Sequence, residues 1–158
     1  MNARMASERA GELAHRLREA AADLIALVEL IDDRHWRHVE HPGVWSIGKD
    51  AEHVADAAVY HQWIVRLTIG EKVSSRRPAI ERTEMTTRLA PRDAVALIHQ
   101  RTDDGARLLA GLTDEQLSLP TRPPRARGAL LAETIERVLI GHYDAHREAI
   151  EAKLRALV

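Results

Sequence analysis

Leu130-Leu-Ala-Glu-Thr-Ile-Glu-Arg-Val-Leu-Ile-Gly-His-Tyr-Asp-Ala-His-Arg-Glu-Ala-Ile150 places apolar residues at the three- and four-residue spacing of a helix, with two histidines among them. With His142 at the origin and a step of about 100° per residue, Leu131, Ile135, Val138, Leu139, Ala149 and Ile150 fall within roughly 80° of it. His146 lies about 40° away, while Glu133, Arg137, Asp144 and Glu151 gather on the opposite side. Both imidazoles therefore sit inside the apolar stripe, one turn apart and pointing the same way. Such a pair can share one metal ion or form a hydrogen-bonded core pair, and a third ligand is needed to decide between them.

Composition narrows the setting. A chain of 158 residues suits one domain with a full-sized core, taken as residues 1–158. Lys and Arg number 23 against 24 Asp and Glu, a net charge of -1, so no global field draws in nucleic acid or an anionic membrane. With no cysteine, thiolate nucleophiles, thiolate metal ligands and disulfides are excluded, and any metal must rely on histidine and carboxylate. The N-terminus runs into an amphipathic helix rather than a signal segment, and no apolar run approaches a membrane span, so a cytoplasmic protein is expected. Aromatics are 3% with no Phe, while Ala, Leu and Arg dominate, which favours an all-α fold.

Along the chain, Ser7 caps a first helix reaching about Asp33, with Leu13, Leu17, Ala20, Leu24, Leu27, Val28 and Ile31 on its apolar side. A wet connection follows from Arg34 to Gly43. Its His35, His38 and His41 lack a regular frame and read as solvated loop histidines. Ser46 caps a second helix to about Ile69, with an incomplete capping box because Lys49 stands where Glu or Gln would close it. Ile47, Ala51, Val54, Ala58 and Val65 form its stripe. His53 lies at one border of that stripe and, taken alone, reads as a boundary residue, with Tyr60, His61 and Ile64 widening the same side. Residues 70–90 sustain no period, and a connection this long is expected to cover something. Pro91 opens a third helix ending near Gly111, with Val95, Ile98, Thr102, Leu109 and Leu112 inward and His99 outward. Thr113 to Gln116 spell a capping box for one short turn, before a stiff basic loop leads into the fourth helix. Four helices joined by two long connections make a bundle.

Trp45-Ser46, His53 seven residues after the serine, and His142-Tyr-Asp-Ala-His146 near the C-terminus together resemble the DinB-like (DinB/YfiT) superfamily of damage-inducible and stress-related bundle proteins, along essentially the whole chain. The resemblance implies an up-down-down-up four-helix bundle in which His53, His142 and His146 bind one divalent metal. It thereby turns His53 from a boundary residue into an expected ligand. Lys49 replaces the carboxylate often found early in the family's second helix, which weakens the case for a fourth protein ligand. Three imidazoles leave a coordination position open, the arrangement of catalytic rather than structural zinc, and imidazole donors suit Zn, Ni, Fe or Cu. The zinc-protease pattern is absent: no Glu follows His142, and Asp144 points about 200° away.

The family resemblance implies a metal-dependent hydrolase or a transferase using a low-molecular-weight thiol, acting on a small-molecule substrate. The alternative is a metal-holding stress protein or scaffold with a vestigial site. His61, Tyr60 and Tyr143 are the candidates for proton handling, and each is also readable as packing. Arg76, Arg77 and Arg82 in one loop and Arg122, Arg125 and Arg127 in the other form a candidate anion-friendly rim. A homodimer is expected from the resemblance and from Trp36, Val59 and Trp63, apolar residues without an assigned inner face.

Overall fold

The computed structural model describes residues 5–125 and 128–157. Its long helices are α1 (Glu8–Val28), α3 (Ile47–Thr68), α4 (Pro91–Ala110) and a C-terminal rod. The rod consists of α6 (Leu131–Thr134), a π-helical stretch (Ile135–Ile140) and α7 (Gly141–Ala156). Two single turns, α2 (Asp33–Trp36) and α5 (Asp114–Leu117), sit in the connections. Apart from an isolated bridge between Pro120 and Leu130, the described residues contain no strand pairing. None of their helices is long and apolar enough to cross a membrane.

The helix starts follow from local chemistry. Ser7 accepts from the amide of Ala10, Ser46 from that of Lys49, and Thr113 exchanges bonds with Gln116 in a complete capping box. Pro91 occupies the first turn of α4, where its missing N–H costs nothing. α1 packs chiefly on α4, α3 on α4, and both α1 and α3 on the C-terminal rod, so α1 and α3 lie on the diagonal of an up-down-down-up bundle. Gly105 permits the α1–α4 approach: a Cβ there would come within 3.2 Å of Leu17 Cδ2.

The connection between the diagonal α1 and α3 and the one between the neighbouring α3 and α4 are both long, and both are better ordered than their composition suggests. The first helix ends at Val28, not near Asp33, because Asp32 caps a new turn by accepting from the His35 amide. That turn, expected as wet loop, buries Trp36 completely, with its indole N–H donating to Leu89 O at 2.8 Å. Trp36 is therefore a core residue and gives no support to a dimer face. Residues 70–90 do cover something. Ser46 N donates to Met85 O, Lys49 pairs with Glu81, and Trp63 donates to Ser74 O, strapping the connection along α3. His99, His38 and His41 are exposed, as expected.

Candidate metal centre

Where α3 meets the C-terminal rod, four imidazoles converge. His53 and His142 have ring centroids 4.9 Å apart, His53 and His146 4.9 Å, and His142 and His146 4.5 Å. One ligand atom from each of His53, His142 and His146 lies within 4.8 Å of the others. His61, two turns beyond His53, meets the far side of His142 edge-on at 5.0 Å. Trp45 walls the near side, 4.8 Å from His53 and stacked at 6.3 Å on His146.

Nδ1 of His53 and Nε2 of His142 are buried with no hydrogen-bond partner among the described residues. A buried imidazole nitrogen left unpaired costs about 1–3 kcal/mol, and two such rings in one cluster of histidines fit a site for a divalent ion. Burial, followed by the neighbouring charge of His146, pushes the His53 ring down to about 4 and the His142 ring to about 3. Both rings are therefore neutral near pH 7, the form that ligates metal. His61 is lowered to about 4, chiefly by burial and then by Arg125.

His146 is held differently. Its Nδ1–H donates to Asp50 Oδ1 at 2.8 Å, which leaves Nε2 as the lone-pair nitrogen. Asp50 is buried, and its other oxygen is taken by the ammonium of Lys153. Its place in the first turn of α3 also sets the carboxylate in the favourable field of the helix N-terminus. This carboxylate–histidine pairing fixes a ligand's tautomer and ring direction. The sequence reading passed over Asp50. Its signal was an acidic residue one turn before His53, on the side of the helix that carries the histidine.

Lys49 is fully buried and reaches Glu81 at 2.7 Å and Glu52 at 3.2 Å. Burial works to lower its pKa, but the hydrogen bonds to Glu81 and Glu52 prevail and raise it. Glu81 is pulled down to about 2 by Lys49 and Thr83. Lys49 is thus the strap's anchor.

The sequence model of the DinB superfamily matches residues 16–150, which include the four histidines, Trp45 and Asp50. The chain belongs to the DinB superfamily. No curated protein matches it. A solved structure of YfiT from Bacillus subtilis, described as a probable metal-dependent hydrolase with an unusual four-helix bundle topology, is similar with a TM-score of 0.75 and 20% identity. That likeness covers 99% of this chain and 92% of the other. Within this DinB bundle, Tyr60 stands beside His61 with centroids 5.8 Å apart, whereas the buried Tyr143 hydroxyl is engaged with Thr102 Oγ1 at 3.0 Å. Arg76, Arg77, Arg82 and Arg122 are exposed and Arg125 is half-buried. Arg127 lies outside the described residues.

The C-terminal rod departs from the expected stripe just before His142, where its turns are π-helical. A uniform 100° step puts Ile140 about 160° from His142, yet Ile140 is buried and Val138 only half-buried. Such turns are frequent at functional sites, and here they directly precede the two histidines of α7.

Proposed function

We propose that this DinB chain is a metal-dependent hydrolase of a small molecule, acting through an open site in which His53, His142 and His146 hold one divalent ion. The observation that carries the reading is the convergence of His53, His142 and His146, whose ligand atoms lie within 4.8 Å of one another, with unpartnered buried nitrogens on His53 and His142 and a third ring held by Asp50. YfiT, described as a probable metal-dependent hydrolase, adds support from a protein of the same fold. Zinc, nickel or iron suits such donors. When bound, the ion would supply Lewis acidity and an open coordination position.

The chain's own residues do the rest. Burial keeps His53 and His142 neutral, Asp50 and Lys153 orient His146, and Trp45 shields one side of the cluster from water. His61, beside His142, is neutral near pH 7 and is the best placed of the proton-handling candidates to accept a proton at a ring nitrogen. Tyr143 is placed instead to tie α7 to α4.

The test is turnover of ester, amide and phosphoester panels by zinc- and nickel-loaded protein, with and without an added small thiol. Hydrolysis abolished by His142→Gln supports the reading. Turnover only with thiol replaces it by thiol-dependent transfer. Inactivity of a fully loaded protein in both panels favours the metal-holding module.

A further inference from the structure

Lys49, His53 and Tyr60 stand close to one line along α3. A step of about 100° per residue puts Lys49 and Tyr60 within about 40° of His53, and a rise of about 1.5 Å puts them about 6 Å before it and about 10 Å beyond it. The 70–90 connection grips both ends of this line. The Arg77 guanidinium lies 4.5 Å over the Tyr60 ring, and Glu81 pairs with Lys49 at 2.7 Å. Each grip is a short chain of contacts from the cluster. Tyr60 is 5.8 Å from His61, which meets His142 at 5.0 Å, and the Lys49 ammonium is 5.9 Å from the Trp45 ring, which is 4.8 Å from His53. Tyr60 and Lys49 are about 16 Å apart along the helix, and the four steps of chain from Arg77 to Glu81 reach about 14 Å when extended. With the reach of the gripping side chains added, residues 78–80 run along α3 past the level of His53, where Pro78 and Ile80 are half-buried. His53 itself is 4% exposed, so an ion or a substrate reaches the cluster only when a segment beside it moves away.

The two grips differ in strength. Glu81 holds a lysine that is 1% exposed, and parting them leaves a buried ammonium with Glu52 alone. The same carboxylate accepts from the Thr83 amide at 2.6 Å, Ser46 N donates to Met85 O at 2.8 Å, and Thr87 is buried, so the chain from Glu81 onward is fixed to the start of α3. At the other end Arg77 is exposed, and a cation over an aromatic face is a weak contact at an exposed site. Its one companion is the bond from the Trp63 indole N–H to Ser74 O at 2.8 Å, also exposed. We propose that residues 74–80 are a lid beside the histidine cluster, hinged at Glu81 and latched by Arg77 on Tyr60 and by Trp63 on Ser74. The proposal rests on the metal reading for what the lid admits. The segment is the one to move because α1, α4 and the C-terminal rod are locked into a common core, whereas its own attachments are two surface contacts.

The experiment follows zinc uptake and release by stopped flow against a coloured chelator, and solvent exchange of the Trp63 indole N–H by NMR of the metal-free protein. Arg77→Gln, and Trp63→Phe, which keeps an aromatic ring but loses the bond to Ser74, should each speed both uptake and release about two- to fivefold, the weight of one exposed contact. Kd should stay within about twofold of the parent, because a latch sets how often the site opens and not what the open site binds. Arg77→Gln should also speed Trp63 N–H exchange by a similar factor. Glu81→Gln should instead lower the urea midpoint, as expected of a hinge that neutralises a buried lysine. Arg107→Gln, which breaks an exposed ion pair with Asp104 on α4, should match the parent throughout. Parent-like zinc rates in both latch variants, or faster release alone with a weakened Kd, would overturn the lid while leaving the metal site intact. Failure of zinc to bind the parent would remove the metal reading, and Trp63 exchange would then decide on the lid by itself, an unchanged rate in Arg77→Gln overturning it.

Discussion

Replacing Asp50 with Asn is the most informative single change at the candidate metal centre. The carboxylate is 3% exposed and is shared between His146 Nδ1, at 2.8 Å, and Lys153. Asn is nearly the same size, so the helix and its packing should survive. Its side-chain carbonyl can still accept from Nδ1–H, but the charge is lost, and its amide group donates and so favours the wrong tautomer if the side chain flips. Loss of such a partner typically weakens metal affinity about 10–100-fold, or about 1.4–2.7 kcal/mol. Metal-free stability should fall less than for a trapped charge, by about 1–2 kcal/mol, because the Lys153 side chain is 22% exposed and can turn to water. Lys153→Met should act in the opposite sense on metal. It leaves Asp50 paired with His146 alone, which makes the ring a better donor, so affinity should hold or rise. Chelator-competition titrations with zinc, alongside urea unfolding of the metal-free variants, measure both quantities. Asp50→Asn binding zinc within twofold of the parent would refute the argument that this carboxylate positions His146.

Two further outcomes follow from packing and protonation. Gly48→Ala should destabilise by about 1–3 kcal/mol or prevent folding. Its Cβ would lie 2.7 Å from Trp36 Cε2 and 2.6 Å from Thr87 Cγ2, and Trp36 is held by Leu89 O, so a urea midpoint equal to the parent's would contradict the packing of α2 against α3. Metal-free protein should lose stability as pH falls. His53 and His61 sit at about 4 and His142 at about 3 in the fold, against 6.5 when unfolded, so between those limits the unfolded chain binds more protons. Stability should therefore be flat above about pH 7 and decline from about pH 6.5 toward pH 3–4, each histidine contributing on the order of 3–5 kcal/mol at most. A urea midpoint that rises on acidification from pH 7 to pH 5 would contradict this.

How much was readable in advance depended on whether the cause was local. Ser7, Ser46, Thr113 and Pro91 act within one turn, and each marks a helix start in the structure as its sequence does. His142 and His146 are one turn apart on one stripe, so their convergence needed only periodicity. Bringing His53 to them needed the topology, which the family resemblance supplied. Lys49 could not be read as buried, because the burial is made tolerable by Glu81, 32 residues away in a segment of no period. Asp50 escaped for the same reason: its partners lie on α7, and its own neighbours in sequence say nothing of them. Trp36 was misplaced because a single capped turn is too short to show a stripe.

The central claim is one ion shared by three histidines. Zinc stoichiometry and affinity of His53→Gln, His142→Gln, His146→Gln and His61→Gln, compared with the parent, test it most directly, since Gln keeps bulk and polarity but is a poor substitute for an imidazole nitrogen. The account predicts one ion per parent chain, a strong and non-additive loss in each of the first three variants, and retention in His61→Gln. Parent-like zinc affinity in His53→Gln, with loss in His142→Gln and His146→Gln, would contradict it and point to a two-histidine site completed by another group.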